Sequence, residues 1–128
     1  MLPSGHRMRR RDEFTLAVRR GRRAGRPHVV VHLLHRADTS EGTSPAPGAG
    51  DQAPVPRAGF IVGRNVGNAV VRNKVRRRLR HLVAQHLDRL PPGSLLVVRA
   101  NPAAATARYD ELATDLGSAL DRLLRRRS

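Results

Sequence analysis

The stretch GNAVVRNKVRRRLR, residues 67–80, combines a dense row of cations with a regular apolar spacing. Val71, Val75 and Leu79 recur at every fourth position, as residues on one face of an α-helix do. Six of the last nine positions are cationic: Arg72, Lys74, Arg76, Arg77, Arg78 and Arg80. The pattern predicts a helix that buries one face in a core and presents positive charge over the rest of its surface.

The predicted helix covers about residues 68–90, with Asn68 as its N-cap. Its apolar face continues through Leu82, Val83, Leu87 and Leu90. At about 100° per residue, Asn73, Arg77 and Arg80 lie opposite that face. A solvated helix surface normally mixes positive and negative charges, but no acid occurs from Phe60 to Gln85. Because neighbouring cations repel each other, we interpret the row as the contact surface for a polyanion.

The composition of the whole chain supports this interpretation. The 128 residues suit one domain with one modest core, and 25 basic against 10 acidic residues give a formal charge of +15. Arginine-rich surfaces pair well with the phosphates of nucleic acid, and an anionic membrane surface is the weaker alternative. The absence of cysteine excludes disulfides and thiolate chemistry. With no signal peptide and no apolar run long enough to span a membrane, we expect a cytoplasmic protein.

The element order along the chain is predicted as α, β, β, α, β, α, an α/β fold in which helices pack on a small sheet. A short helix includes Phe14 and Val18 and ends at Gly21, and strands are predicted at 26–36, 57–64 and 94–100. A last helix carries a row of leucines: Leu112, Leu116, Leu120, Leu123 and Leu124. Residues 37–56 are rich in Pro and Gly, so we predict a disordered loop inserted within a single domain of residues 1–128.

The nature of the polyanion follows from what the helix offers besides charge. A DNA-reading helix usually carries several polar side chains that bind base edges, whereas in this helix only Asn73 could bind one. Phosphate and shape contacts with folded RNA fit an α/β protein better. The residues by themselves therefore predict a basic α/β RNA-binding protein with no DNA or membrane partner.

The quoted stretch resembles the arginine-rich signature of the bacterial ribonuclease P protein component, in which an Arg-Asn-Arg triplet follows GNAV. Neighbouring features agree in order: DEF at 12–14, LLVVRANPAA at 95–104 and YDEL at 109–112. The resemblance covers nearly the whole chain except residues 37–56. It implies a sandwich with a central mixed sheet and a left-handed βαβ crossover, against the usual rule.

The same resemblance implies a function as the protein subunit of an endoribonuclease. The RNA partner is the catalyst, the protein alone is inactive, and the holoenzyme removes the 5′ leader of precursor tRNA with Mg²⁺ held mainly by RNA. The signature residues, which would contact the catalytic RNA, are Arg72, Asn73, Lys74, Arg76, Arg77 and Arg80. A cleft for the leader would involve Phe14, His32, Arg64, Asn65 and Asn68.

The chain departs from the family pattern at three positions, two of them among these residues. Lys74 stands where arginine is usual, which keeps the charge but loses the planar fork. Val18 and His32 stand where aromatic side chains are common, so stacking of leader bases is in question. Phe14 keeps its aromatic ring, with a place in the core as the alternative role.

The histidines and the acidic residues give weaker evidence of a functional site. His28 and His32 are predicted to share a strand face with His35 on the other. His81 and His86 are five apart on a helix, which does not suit a two-histidine metal site. Asp110, Glu111 and Asp115 lie in the first turns of the last helix, where acids favour the helix dipole. We therefore predict no catalytic residue and no intrinsic cofactor. A ribosomal or ribosome-assembly RNA-binding protein is the alternative function, and a membrane-active or DNA-compacting protein is a more distant one.

Overall fold

Three helices and four strands make up the part of the chain that this computed structural model describes, residues 11–34, 56–91 and 93–125. In chain order they are α1 Arg11–Arg20, β1 Arg22–Gly25, β2 Val29–Leu34, β3 Arg57–Ile61, α2 Ala69–Ala84, β4 Leu95–Ala100 and α3 Tyr109–Arg125. Short 3-10 turns follow α2 at Leu87–Arg89 and β4 at Pro102–Ala105. The predicted loop at 37–56 lies outside the described residues except for Pro56, and the single domain of residues 1–128 stays a prediction.

The four strands form one mixed sheet in the order β1-β2-β4-β3. β1 and β4 both run antiparallel to β2, whereas β3 and β4 are parallel neighbours. Since α2 joins β3 to β4, the chain contains the predicted βαβ unit. The mixed sheet packed by helices confirms the predicted fold class, and the left hand of the crossover stays a prediction.

Helices cover both faces of the sheet, and the strand residues alternate between two apolar clusters. Val31 and Leu33 of β2 join the main core with α2 and α3, including the predicted leucines of α3. Leu34 and Val97 join a smaller cluster with Ala17 of α1 on the opposite face. Because β2 and β4 are buried on both faces, they read as continuous apolar runs, as the sequence predicted.

The fourth strand, β1, was not predicted. Its sequence RRAG shows no apolar alternation, and Ala24 is its one buried residue. β1 pairs with β2 along one edge of the sheet, so backbone hydrogen bonds rather than side-chain burial hold it in place. The sequence prediction missed it because edge strands need little apolar surface.

The helix predicted for residues 68–90 ends earlier than its apolar pattern. The α-helical hydrogen bonds stop at Ala84, where the backbone N–H of Gln85 donates to Leu82 and that of His86 to Val83. The chain then tightens into the 3-10 turn that precedes Leu90, which is still buried. The apolar spacing predicted the burial correctly, but it did not distinguish an α-helix from a tighter turn.

Gly21 ends α1 at a point where the backbone of β2 passes close by. Its N–H donates to the oxygen of Ala17 at 2.9 Å, and a Cβ at this position would overlap that oxygen and lie 2.9 Å from the oxygen of Leu33. Backbone atoms cannot move aside as side chains do, so we expect Gly21→Ala to lower the free energy of unfolding by about 1–3 kcal/mol. Thermal or denaturant unfolding measures this loss.

Gly25→Ala is the matched control for that substitution. A Cβ at Gly25 meets no atom within 4 Å, and the residue lies on the exposed part of β1. Its unfolding free energy should stay within about 0.5 kcal/mol of the wild type, or rise slightly because alanine restricts the unfolded chain. Equal losses for the two variants would show that the space around Gly21 does not matter.

Candidate nucleic-acid interface

The start of α2 is held by the predicted cap. The side-chain oxygen of Asn68 accepts a hydrogen bond from the backbone N–H of Val71 at 3.0 Å. The backbone oxygen of Asn68 accepts from the N–H of Arg72 at 2.9 Å. Asn68 therefore determines where the cation-rich helix begins, directly after the turn that follows β3.

The buried face of α2 fixes the orientation of its charges. Val75 is 2% exposed and Leu79 is fully buried, and both belong to the main core together with Leu82 and Val83. The helix packs on α3, on β3 and on the 3-10 turn after β4. With this face anchored, the opposite side of α2 points away from the protein.

The charges of α2 differ in how far they reach solvent. Asn73, Lys74 and Arg77 are exposed, and neither Lys74 nor Arg77 forms a hydrogen bond or ion pair within the described part of the chain. Four arginines are half-buried instead: Arg72, Arg76, Arg78 and Arg80. No acidic residue lies between Phe60 and Gln85 to neutralise the row. These exposed side chains and the half-buried arginines beside them form a cationic surface, which we call the α2 cation face: Arg72, Asn73, Lys74, Arg76, Arg77, Arg78 and Arg80.

Two of the half-buried arginines contact groups of the protein. Arg76 donates from Nη1 to the side-chain oxygen of Asn73 at 3.0 Å, and Arg78 donates to the backbone oxygen of Ala107 at 3.2 Å. Arg78 is thereby tied to the segment before α3. Because Arg76 donates to Asn73, the one side chain of this row that is suited to a base edge is oriented by its neighbour on the helix.

The five residues predicted to line a leader cleft are placed in two groups. Phe14 and His32 lie on the α1 side of the sheet, where Phe14 is half-buried against the small apolar cluster and His32 is 7% exposed. Arg64 and Asn65 are exposed in the turn between β3 and α2, and Asn68 follows as the helix cap. Phe14 thus has a packing role, and the oxygen of Asn68 is engaged in capping.

Two arginines that the sequence prediction did not single out flank His32. Arg23 of β1 lies directly opposite His32, and Arg99 of β4 lies diagonal to it, because Val30 pairs with Arg99. Burial lowers the pKa of His32, and the positive charges of Arg23 and Arg99 lower it further. Arg99 is the one exposed residue of an otherwise buried strand, and this interruption of an apolar run was the available sequence signal.

The predicted face of His28 was wrong. His28 precedes β2, and its Nδ1 lies 2.7 Å from the carboxylate of Asp115 on α3. The helix α3 packs on the face of the sheet opposite to the one on which His32 lies. Its backbone N–H donates to the same oxygen of Asp115 at 2.9 Å. The ring turns toward the carboxylate because the chain has not yet entered the strand. His35 lies outside the described residues.

The acids of α3 have structural partners. Glu111 accepts a hydrogen bond from the backbone N–H of Arg108 at 2.7 Å, which is one half of a capping box at the start of α3. Asp115 joins α3 to His28, the residue just before β2, and Asp121 pairs with Arg89. In residues 11–34, 56–91 and 93–125, no group of three or more potential metal ligands is present. None of the helices in these ranges is long and apolar enough to cross a membrane.

Fold and charge together define a class: a basic α+β protein in which the helix of a βαβ unit presents a cationic surface. A model of the family described as Ribonuclease P matches residues 2–124. Curated relatives include the ribonuclease P protein component of Streptomyces bikiniensis, 57% identical with 97% of this chain and 96% of the relative covered. That of Corynebacterium diphtheriae is 43% identical, with 99% and 100% covered. The chain therefore belongs to the ribonuclease P protein family, the protein subunits of the ribonuclease P holoenzyme.

Solved structures agree with the fold. The RNase P protein of Staphylococcus aureus superposes with a TM-score of 0.70 at 20% identity, covering 91% of this chain and 93% of that one. The RNase P protein of Thermotoga maritima gives a TM-score of 0.65 at 23% identity, with 93% and 96% covered. These structures confirm the fold, whereas the family model and the curated relatives confirm the predicted family. Nothing in these comparisons supports the ribosomal alternative.

Proposed function

We propose that the α2 cation face binds the catalytic RNA of ribonuclease P and that the α1 side of the sheet contacts the leader of precursor tRNA. The residues assigned to the catalytic RNA are Arg72, Asn73, Lys74, Arg76, Arg77 and Arg80. The observation that carries this proposal is a row of cations without acids, mounted on a helix whose other face is buried. Phosphates bound there would remove the repulsion that the row imposes on α2.

The chemistry of cleavage is assigned to the RNA. The acids Glu111, Asp115 and Asp121 are each engaged in contacts within the protein, so they are poorly placed to act as metal ligands or general bases. Mg²⁺ bound mainly by the RNA would activate the water and stabilise the leaving oxygen. The protein contributes binding and orientation, which requires no catalytic side chain. We expect this cleavage to take place in the cytoplasm.

The test is reconstitution with a bacterial ribonuclease P RNA at low Mg²⁺, scored by cleavage of precursor tRNA. Arg77→Ala should weaken RNA binding by about 1–3 kcal/mol, since it removes one charge-assisted contact from the exposed side of α2. Thermal unfolding should stay close to wild type, because Arg77 is exposed and forms no hydrogen bond or ion pair within the described part of the protein. Lys74→Arg should bind RNA equally well or more tightly, since it restores the planar fork.

Arg122→Ala on the exposed surface of α3 is the control, because it removes the same charge from a different helix. It should cleave and bind like the wild type. If Arg77→Ala unfolds the protein while affinity per folded molecule is unchanged, the charges of α2 are structural and the proposal fails. Robust cleavage by the protein without RNA would contradict the division of roles.

A further inference from the structure

The junction of α2 and α3 carries two exposed rings beside the α2 cation face. Tyr109, the first residue of α3, is 38% exposed, and His81 is exposed in the last turn of α2. Their ring centroids lie 6.0 Å apart with the planes tilted by 54°, in the range of an edge contact between neighbouring rings. Tyr109 therefore lies against α2 with a large part of its surface in water.

The two rings extend the exposed side of α2. His81 follows Arg77 by four residues, so it lies one turn further along the same helix surface. Arg108, which precedes Tyr109, adds an exposed guanidinium. Its Nε lies 4.0 Å from the carboxylate of Asp110, in an exposed pair of the kind that contributes little. A polyanion that binds along the α2 cation face therefore comes within one helical turn of the rings.

The backbone around Tyr109 is held from two sides. Arg78 donates to the backbone oxygen of Ala107 at 3.2 Å, which ties the segment before α3 to α2. The carboxylate of Glu111 accepts a hydrogen bond from the backbone N–H of Arg108 at 2.7 Å, which fixes the first turn of α3. A ring that is already held in place loses little conformational entropy when a ligand covers it.

Tyr109 is the one exposed side chain among the phenylalanines and the tyrosine of this chain. The sequence contains two phenylalanines, one tyrosine and no tryptophan. Phe14 and Phe60 are half-buried, packed against the small cluster and the main core respectively. An exposed aromatic ring offers a flat apolar face rather than charge. In folded RNA, the group that matches such a face is an unpaired base.

We propose that the exposed ring of Tyr109 stacks with an unpaired base of the catalytic RNA, at a site that adjoins the phosphate contacts of the α2 cation face. This inference rests on the proposed binding of that RNA to α2, and it adds a contact that depends on a base and not on charge. A base in a loop or bulge can stack on an aromatic side chain, whereas a base inside a helix is already stacked. The contact aligns a non-helical position of the RNA with the junction of α2 and α3.

Two substitutions at Tyr109 separate the ring from the rest of the side chain. With a bacterial ribonuclease P RNA, Tyr109→Leu should bind about five- to tenfold more weakly, whereas Tyr109→Phe should stay within about twofold of the wild type. The slope of log affinity against log salt should be equal in all three proteins, because no charge is removed. Phe60→Leu, the same change at a half-buried ring, is the control, and its affinity per folded molecule should be unchanged.

The unsubstituted protein allows a second measurement. Because the chain has one tyrosine and no tryptophan, its intrinsic fluorescence comes from Tyr109. Stacking on a base should quench this emission as the RNA is added, beyond the loss from RNA absorption that N-acetyltyrosinamide shows in a parallel titration. Raising the salt concentration until the RNA dissociates should restore the emission.

Unchanged emission on RNA binding would overturn this inference, and that result holds even if Tyr109→Leu fails to fold. Wild-type affinity for Tyr109→Leu would overturn it as well. An equal loss for Tyr109→Phe would show that the hydroxyl and not the ring makes the contact. In each of these cases a steep salt dependence leaves the proposed function of α2 intact, whereas wild-type binding that does not change with salt contradicts that function itself.

Discussion

Val75→Asp is expected to unfold the domain. Val75 is 2% exposed and lies in the main core beside Leu79. A carboxylate buried there without a partner costs about 3–5 kcal/mol, a large part of the roughly 5–15 kcal/mol that stabilises an ordinary domain. Far-UV circular dichroism during thermal unfolding should show a large drop in melting temperature or no folded state at 25 °C, and RNA binding should be lost with the fold.

Lys74→Asp is the matched control, because it places the same carboxylate one residue earlier on the exposed side of α2. There the charge stays in water and relieves repulsion among the cations, so the melting temperature should remain near that of the wild type. RNA affinity should nevertheless fall, since a cation that faces phosphate becomes an anion. If both variants fold equally well, Val75 is not part of the core; if both unfold, the exposed side of α2 is itself needed for folding.

Binding to the catalytic RNA is expected to weaken steeply with salt. Five cations are among the residues assigned to this contact: Arg72, Lys74, Arg76, Arg77 and Arg80. Each phosphate contact contributes about 0.7–0.9 to the slope of log affinity against log salt, so five contacts would lower affinity roughly 10²- to 10³-fold between 50 and 200 mM salt. Binding measured at several salt concentrations gives the slope directly.

Two variants separate contacts made by the α2 cation face from the general effect of the +15 charge. Arg77→Ala should reduce the slope by about one contact, 0.7–0.9, whereas Arg122→Ala on α3 should leave it unchanged. Equal reductions in both variants would mean that RNA responds to net charge alone. Binding that does not change with salt would contradict a phosphate interface on α2.

Much of the fold could be predicted because apolar spacing reports burial. The leucines of α3 and the apolar runs of β2 and β4 all reach the core as predicted, and Asn68 caps α2 as its position suggested. The predictions failed for elements whose conformation does not depend on the burial of apolar side chains. β1 is held by backbone pairing at a sheet edge, and the end of α2 depends on a change of hydrogen-bond pattern after Ala84.

The candidate site likewise contains residues that the sequence predicted and residues that it did not. The cations of α2 are close together in the sequence, so helical periodicity alone predicted that Asn73 and Arg77 lie on the exposed side. Arg80, predicted to lie there too, is half-buried. Arg23 and Arg99 are 76 positions apart and meet His32 only through strand pairing. Local patterns contain no information about such pairing, which explains why these two arginines were missed.

The sequence by itself determined the family, the two-sided burial of the central strands and the cationic character of α2, because each of these depends on residue type and local spacing. Tertiary structure alone decided that His28 faces Asp115 and that His32 lies between two arginines, with no hydrogen-bond partner for its Nδ1 among the described residues. The physical reason is that the spacing of apolar residues within one segment indicates which of its side chains are buried. The neighbours of a strand residue depend instead on the order and register of strands that are distant in the chain.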